Sequence, residues 1–139
     1  MARIPLKLLL SVVFAAALLG AIPAGASAAA LSSQTSSEQG VSVLATPRDL
    51  SPAAKEWEFE IVLQTHSQDL SDDVKAVSTL IADGRATQAP TAWEGDPPGG
   101  HHRKGVLRFE PITPRPETIE LRILRPTESS PRSFRWQLN

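Results

Sequence analysis

The three histidines of this chain lie in two polar segments, each with carboxylates close by in the sequence. Imidazole and carboxylate are the usual protein ligands of zinc, copper and nickel where cysteine is absent, and this chain has no cysteine. If the two segments meet at one end of the fold, they supply two or three imidazoles and a carboxylate to one ion. The pattern therefore predicts a transition-metal site, with zinc or copper as the ion and these candidate ligands: His66, His101, His102, Asp73 and Glu94.

The adjacent positions of His101 and His102 also allow an interpretation without a metal. Neighbouring side chains of extended backbone point to opposite sides, so both imidazoles would bind one ion only in a turned conformation, which Gly99 and Gly100 permit. No His-x-His or His-x3-His spacing is present. In the alternative interpretation, one histidine packs on Trp93 or bonds a backbone carbonyl, and the other is solvated.

The segment 93–103 reads WEGDPPGGHHR and combines turn-forming glycines and prolines with an indole ring and several charges. Trp93 could stack on a sugar, a peptide or the Arg103 guanidinium, or it could close the end of the fold as a structural plug. Asp96 precedes Pro97 and is suited to cap the turn through its own side chain. The segment thus predicts a ligand-binding loop with three further site residues: Trp93, Asp96 and Arg103.

Motifs for catalysis are missing from the sequence. It contains no Gly-x-Ser-x-Gly elbow, no cysteine or tyrosine, no phosphate-binding loop and no Gly-x-Gly-x-x-Gly. Glu58 and Glu60 form a carboxylate pair, but they lie on one face of a predicted strand, where a solvated surface explains them. The sequence predicts a protein that is not an enzyme.

Residues 1–28 have the pattern of a cleaved export signal. Arg3 and Lys7 provide a positive start, residues 8–19 form an apolar run, and Ala26-Ser27-Ala28 fits the small-x-small cleavage pattern. As a helix the apolar run rises only about 18 Å, short of a hydrocarbon core of about 30 Å, so no membrane span is predicted after cleavage. The mature protein is expected to be periplasmic or secreted.

The charge of the mature chain bears on its partners. Because Arg3 and Lys7 leave with the signal, the 14 basic residues fall to 12 against 15 acidic ones, a net charge of −3. This balance provides no polycationic surface for nucleic acid. A protein partner in the cell envelope is the expected alternative to a metal ligand.

Alternation of large apolar and polar residues indicates an all-β fold. Trp57, Phe59, Ile61 and Leu63 alternate with polar or smaller residues, which is the period of a half-buried strand and not of a helix. Residues 29–39 are small, polar and without period, and they are expected to form a flexible leader. The sequence predicts an antiparallel, seven-stranded β-sandwich of the immunoglobulin or fibronectin III type over residues 40–139. Its predicted strands are 41–45, 57–63, 77–81, 85–93, 105–110, 118–124 and 133–138.

The motifs Thr65-His66-Ser67-x-Asp69-Leu70 and WEGDPPGGHHRKGVLRF (93–109), with the final Ser133-Phe134-x-Trp136 strand, resemble a group of small exported bacterial proteins. The resemblance covers nearly the whole mature domain. It implies an exported β-sandwich whose histidines belong to one shared loop site, and it implies neither a ligand nor catalytic residues. The expected function is an exported binding module that holds a transition metal through its loop histidines, or alternatively a protein-interaction or structural accessory domain without a metal.

Overall fold

A computed structural model describes residues 31–138, which form two antiparallel sheets and no α-helix. The predicted signal peptide, the start of the leader and Asn139 lie outside these residues. The strands follow one another as β1 (Gln34–Glu38), β2 (Val41–Pro47), β3 (Trp57–Thr65), β4 (Ser78–Ala82), β5 (Ala86–Gln88), β6 (Ala92–Gly95), β7 (His102–Phe109), β8 (Thr118–Ile123) and β9 (Arg132–Gln137).

The strand order is that of an immunoglobulin-like sandwich. The first sheet has the order β1-β2-β3-β7-β6 and the second β5-β4-β8-β9. Immunoglobulin domains place strands A, B, E and D in one sheet and C, F and G in the other. Strands β2, β3, β7 and β6 correspond to the former set, and β4, β8 and β9 to the latter. The predicted fold class is confirmed, with two more strands than predicted.

The core lies between the two sheets and follows the alternation of the sequence. On β3, Trp57, Phe59, Ile61 and Leu63 are all buried, while Glu58 and Glu60 lie on the outer face. The ring centroid of Phe59 is 5.7 Å from that of Phe109 in its own sheet and 5.5 Å from that of Trp136 in the facing sheet, so Phe59 joins the sheets through Trp136. Each such side chain contributes about 1.5–3 kcal/mol by leaving water. This packing stabilises the fold without disulfides.

Two segments differ from their predicted structure. Gln34–Glu38 fall in the expected flexible leader but pair along their whole length with β2, through a turn in which Gln39 and Gly40 both have positive φ. The sequence gives no sign of this pairing, because β1 is an edge strand with no large apolar side chain and so lacks the alternation of apolar and polar residues. The predicted strand 85–93 is divided at Pro90, which has no N–H to donate, into β5 and β6 of opposite sheets.

Four connections lie at one end of the sandwich, which we call the loop end. They are the β1–β2 turn and the loops 66–77, 96–101 and 124–131. Backbone hydrogen bonds join the three loops: Leu70 N donates to Gly100 O at 2.9 Å, and Leu124 N donates to Val77 O at 2.9 Å. Within loop 66–77 the backbone makes a single turn that begins at Asp73, whose carbonyl accepts from Val77 N at 3.1 Å.

The two lateral sides of the sandwich differ in how they are protected. Beside β1, Arg132 donates to Ser36 O and Glu38 O, both at 2.9 Å, and Trp136 Nε1 donates to Ser32 O at 2.8 Å. Side chains of β9 thus occupy carbonyls that β1 would otherwise present to another strand. On the opposite side β5 and β6 are only three and four residues long. Short edges of this kind, here separated by Pro90, resist the addition of a further strand.

Candidate functional site

The structure brings the three histidines to the loop end. His66 follows β3, and Thr65 N donates to His101 O at 3.0 Å where β7 begins. Gln64 is the cross-strand partner of His102. All three imidazoles are exposed. The two histidine segments therefore meet at the same end of the sandwich, as the metal hypothesis requires.

The remaining predicted ligands are engaged elsewhere. Asp73 Oδ1 accepts from Ala76 N at 3.1 Å within its own turn. Glu94 Oε1 accepts from Arg108 Nη1 at 2.8 Å on the outer face of the first sheet. Within residues 31–138 no three or more His, Asp or Glu side chains are grouped so that they could hold a metal ion. The five predicted ligands are therefore not assembled into one site.

Arg103 differs most from its predicted ligand-binding role. The residue is 1% exposed. Its Nη1 donates to Leu70 O at 3.1 Å and to Asp72 O at 2.6 Å, and its Nη2 donates to Asp96 O at 3.2 Å. Because these acceptors belong to two loops, the guanidinium joins loop 66–77 to the turn that follows β6. It is a positioning residue for the loop end and is not free to meet a ligand.

Trp93 is held by the same turn. Its Nε1 donates to Asp96 O at 3.3 Å, and the Arg103 guanidinium carbon lies 5.9 Å from the ring centroid. The ring covers Gly105 so closely that a Cβ there would be 2.6 Å from Trp93 Cζ2 and Cη2. The structure thus favours the plug over the ligand platform. The Asp96 side chain bonds across the base of the loop to β7, since its Oδ2 accepts from Lys104 N at 2.9 Å.

The Gly99-Gly100 pair docks loop 96–101 on loop 66–77. Gly99 N donates to Leu70 O at 2.8 Å, and Gly100 N donates to Asp69 Oδ1 at 2.7 Å. The two glycines have φ of 115° and 76°, values that side-chain-bearing residues rarely adopt. The WEGDPPGGHHR segment is therefore explained largely by contacts that fix the loops.

Beneath the loops lies a buried ionic network of four side chains: Asp72, Arg125, Glu128 and Arg132. Their side-chain exposures are 5%, 3%, 1% and 0%, respectively. Arg125 Nε donates to Asp72 Oδ2 at 2.6 Å and Arg125 Nη1 to Glu128 Oε1 at 3.3 Å. Arg132 Nη2 donates to the same Glu128 oxygen at 2.6 Å. Two carboxylates and two guanidiniums alternate, so the charges cancel within the network.

The pairing favours the charged forms of Glu128 and Arg125. Burial alone would raise the pKa of the Glu128 carboxyl, but the hydrogen bonds and charges of Arg132 and Arg125 outweigh burial and lower that pKa. Burial likewise opposes the charge of Arg125, yet the hydrogen bond and charge of Asp72, together with Glu128, raise the pKa of its guanidinium. A buried charge is tolerated only with partners of this kind.

The lowered pKa of Glu128 predicts a loss of stability in acid. A carboxyl with a depressed folded-state pKa stabilises the fold above its ordinary pKa of 4.5, and the contribution is lost as pH falls toward the lower folded value. We expect the free energy of unfolding, measured with urea from neutral to acidic pH, to fall below about pH 4.5. In Glu128→Gln this decline should be shallower. An identical decline in the variant would contradict the assignment to Glu128.

The four network residues were not among the predicted site residues, although strand alternation carries a signal for Arg132, as it does for the buried Arg103. Arg132 has the same parity as Phe134 and Trp136, and Arg103 has the same parity as Leu107 and Phe109. Both arginines are therefore inward-facing by pattern. The signal is easily missed because a charged residue at a strand end ordinarily reaches water.

A polar cleft of about 320 Å³ opens beside His66, between the β1–β2 turn and the end of β3. Apart from Val41 and Gly40, its lining is hydroxyl, amide, carboxylate and imidazole: Ser37, Glu38, Gln39, Ser42, Gln64, Thr65 and His66. These groups can donate and accept hydrogen bonds but offer no aromatic surface for stacking. The cleft extends the exposed polar surface of the loop end.

Comparison of the chain with protein-family models, with curated proteins and with solved structures finds no match. Between residues 31 and 138 there is also no helix of the length and apolarity needed to cross a membrane.

Proposed function

We propose that this chain is an exported, non-enzymatic binding module of the immunoglobulin type, which is periplasmic or secreted and meets a protein partner of the cell envelope with its loop end. The observation that carries the proposal is the buried ionic network, which links the β1–β2 turn, loop 66–77 and loop 124–131. Arg103 joins the third loop, 96–101, to the same assembly.

The energetics of the network support a role in binding. Charged groups pay a large desolvation penalty when buried, and well-packed apolar residues of similar size often stabilise a fold equally well. What the ionic network adds is geometry: Arg132 alone donates to Ser36 O, Glu38 O and Val41 O, which fixes the β1–β2 turn. Loops fixed before binding lose less conformational entropy when a partner docks. Rigid loops on a sandwich are also a frequent location of binding sites.

The two lateral edges of the sandwich support binding of a protein partner less well. One lateral side is occupied by the side chains of β9, and the opposite edges are the short strands β5 and β6. The loop end instead combines the polar cleft, three exposed histidines and Leu124, which at 46% exposure is the one exposed large hydrophobic residue of the described range. A surface of several loops with mixed polar and apolar groups suits a protein partner.

Site-specific photo-crosslinking tests this proposal. A photoreactive amino acid is placed at Ser67 or Thr127 of the loop end and, as matched controls, at Ala53 or Glu110 of the opposite end; all four positions are exposed. In cells that produce the protein, we expect one defined adduct from the loop-end positions and none from the controls. Arg103→Met should weaken the adduct, because it loosens the loops. Equal adducts from both ends, or none from either, would overturn the proposal.

A transition metal is the second candidate ligand, favoured by the meeting of the His66 and His101 segments through the Thr65 N to His101 O hydrogen bond. If a metal is bound, calorimetric titration of untagged protein with zinc or copper should give a saturable site. His66→Ala and His101→Ala should each weaken it by at least about tenfold, the loss typical when a ligand's support is removed. Affinity should also fall in acid, as protons compete for the imidazoles. Binding no tighter than that of free histidine would end the metal hypothesis.

A further inference from the structure

A second polar feature lies on the outer face of the second sheet, away from the loop end. Glu120 is at the middle of β8, where its cross-strand partners are Arg135 of β9 and Ile81 of β4. Arg122 is two residues farther along β8 and faces the same way. A cleft of about 480 Å³ lies on this part of the sheet. Its lining includes Glu120, Arg122, Arg135, Thr118 and Gln137.

One carboxylate holds both guanidiniums of this cleft. Arg122 Nε donates to Glu120 Oε1, and Arg135 Nε donates to Glu120 Oε2 at 3.0 Å. The carboxylate is only 12% exposed, whereas the arginine side chains are 46% and 72% exposed. Each oxygen of Glu120 therefore accepts from the Nε–H of a different arginine.

This arrangement leaves the two terminal amino groups of each guanidinium, Nη1 and Nη2, free to bind an anion. A guanidinium has five N–H donors, and only Nε is engaged here. Within residues 31–138 the terminal amino groups of Arg122 and Arg135 donate no hydrogen bond. Two cations share one anion, so the cleft carries a net positive charge. Because Glu120 already orders both side chains, an incoming anion would meet donors that need little further ordering.

We propose that Arg122 and Arg135, positioned by Glu120, form an anion-binding clamp for a carboxylate or phosphate group of a small ligand. Planar guanidinium edges match both anions through paired N–H···O hydrogen bonds, which an ammonium group cannot reproduce. The buried Ile81 side chain and the hydroxyl and amide of Thr118 and Gln137 complete the lining of the cleft. The site is independent of the proposed function, since it shares no residue with the loop end.

The test is nuclear magnetic resonance of the arginine Nε–Hε groups in isotope-labelled protein, titrated at constant ionic strength with inorganic phosphate and, in a second arm, with acetate. We expect saturable shifts confined to Arg122 and Arg135, and the arm with the tighter binding identifies the preferred anion. Arg108 is the matched control, because its guanidinium on the other sheet is surrounded by three carboxylates: Glu56, Glu58 and Glu94.

Variants separate the clamp from simple charge attraction. Arg135→Gln should weaken anion binding by about tenfold or more, and Arg135→Lys should lose most of the same affinity because the paired geometry is gone. Arg108→Gln should bind like the wild type. Shifts that never saturate, equal shifts at Arg108, or full affinity in Arg135→Lys would each overturn the clamp. None of these results bears on crosslinking at the loop end, so the two proposals fail separately.

Discussion

Replacement of Arg132 by alanine is expected to lower the free energy of unfolding by about 3–5 kcal/mol, the range for removing one partner of a buried ion pair. Arg132 is fully buried and donates to Glu128 and to the carbonyls of Ser36, Glu38 and Val41. Without it, three carbonyls lose a donor and Glu128 keeps only Arg125. Since small domains are stable by about 5–15 kcal/mol in total, this is a large fraction of the stability.

Urea denaturation followed by tryptophan fluorescence measures this effect. The matched control is Arg135→Ala, three residues later in β9, where the side chain is 72% exposed and pairs with Glu120. That variant should lose no more than about 1 kcal/mol, as is typical of a surface pair. Arg132→Lys should fall between the two, because it keeps the charge but not the planar set of donors. Equal stability of Arg132→Ala and Arg135→Ala would contradict the importance of the network.

Gly105→Ala is expected to destabilise the fold by about 1–3 kcal/mol or more, although it adds a single methyl group. The new Cβ would lie 2.6 Å from two ring atoms of Trp93 and 2.7 Å from the Gly95 Cα across the β6–β7 pair. The indole can move only by giving up its hydrogen bond to Asp96 and its contact with Arg103. The Gly95 backbone can move only by separating β6 from β7. Thermal or urea unfolding measures the loss.

A double-mutant cycle identifies the source of that loss. Trp93→Ala removes the indole, so Gly105→Ala should cost less in the Trp93→Ala background than in the wild type. The residual cost reports the clash with Gly95, which the double variant retains. Strict additivity of the two changes would mean that the ring does not confine Gly105, since only groups in contact are expected to be coupled.

Much of the fold is predictable because its central strands obey one simple rule. In β3, β8 and β9, large apolar side chains recur at alternate positions, apart from Arg132 at the start of β9, and polar or smaller ones occupy the positions between. A half-buried sheet requires this alternation, so the pattern identifies both the strand and its inward face. β1 breaks the rule because its side chains are polar. Its place depends on the ladder with β2 and on carbonyls that accept from Arg132, and no local pattern of residues 34–38 reports a partner as distant in the chain as Arg132.

The candidate site is less predictable for a related reason. The meeting of His66 and His101 follows from the sandwich topology, and the sequence suggests it. Roles within the loops depend on which side chains are buried, and there Arg103 and Trp93 differ from a ligand-binding interpretation. In the sequence, an arginine beside glycines and histidines is equally compatible with binding a ligand and with donating to backbone carbonyls inside the fold. Only the positions of the acceptors, such as Asp72 O and Asp96 O, distinguish the two.

The contact of Arg132 with β1 has a consequence for the smallest unit that folds independently. A truncated protein starting at Gly40 would match the domain boundary expected from sequence. It would, however, leave the buried Arg132 guanidinium without the Ser36 and Glu38 carbonyl oxygens that accept its hydrogen bonds. The backbone carbonyls of β1 thus take the place that water would have around an exposed guanidinium. Any shortened version of the protein, or any fusion joined at its N-terminus, must therefore retain the chain from Ser32 onward, where Trp136 finds its own acceptor.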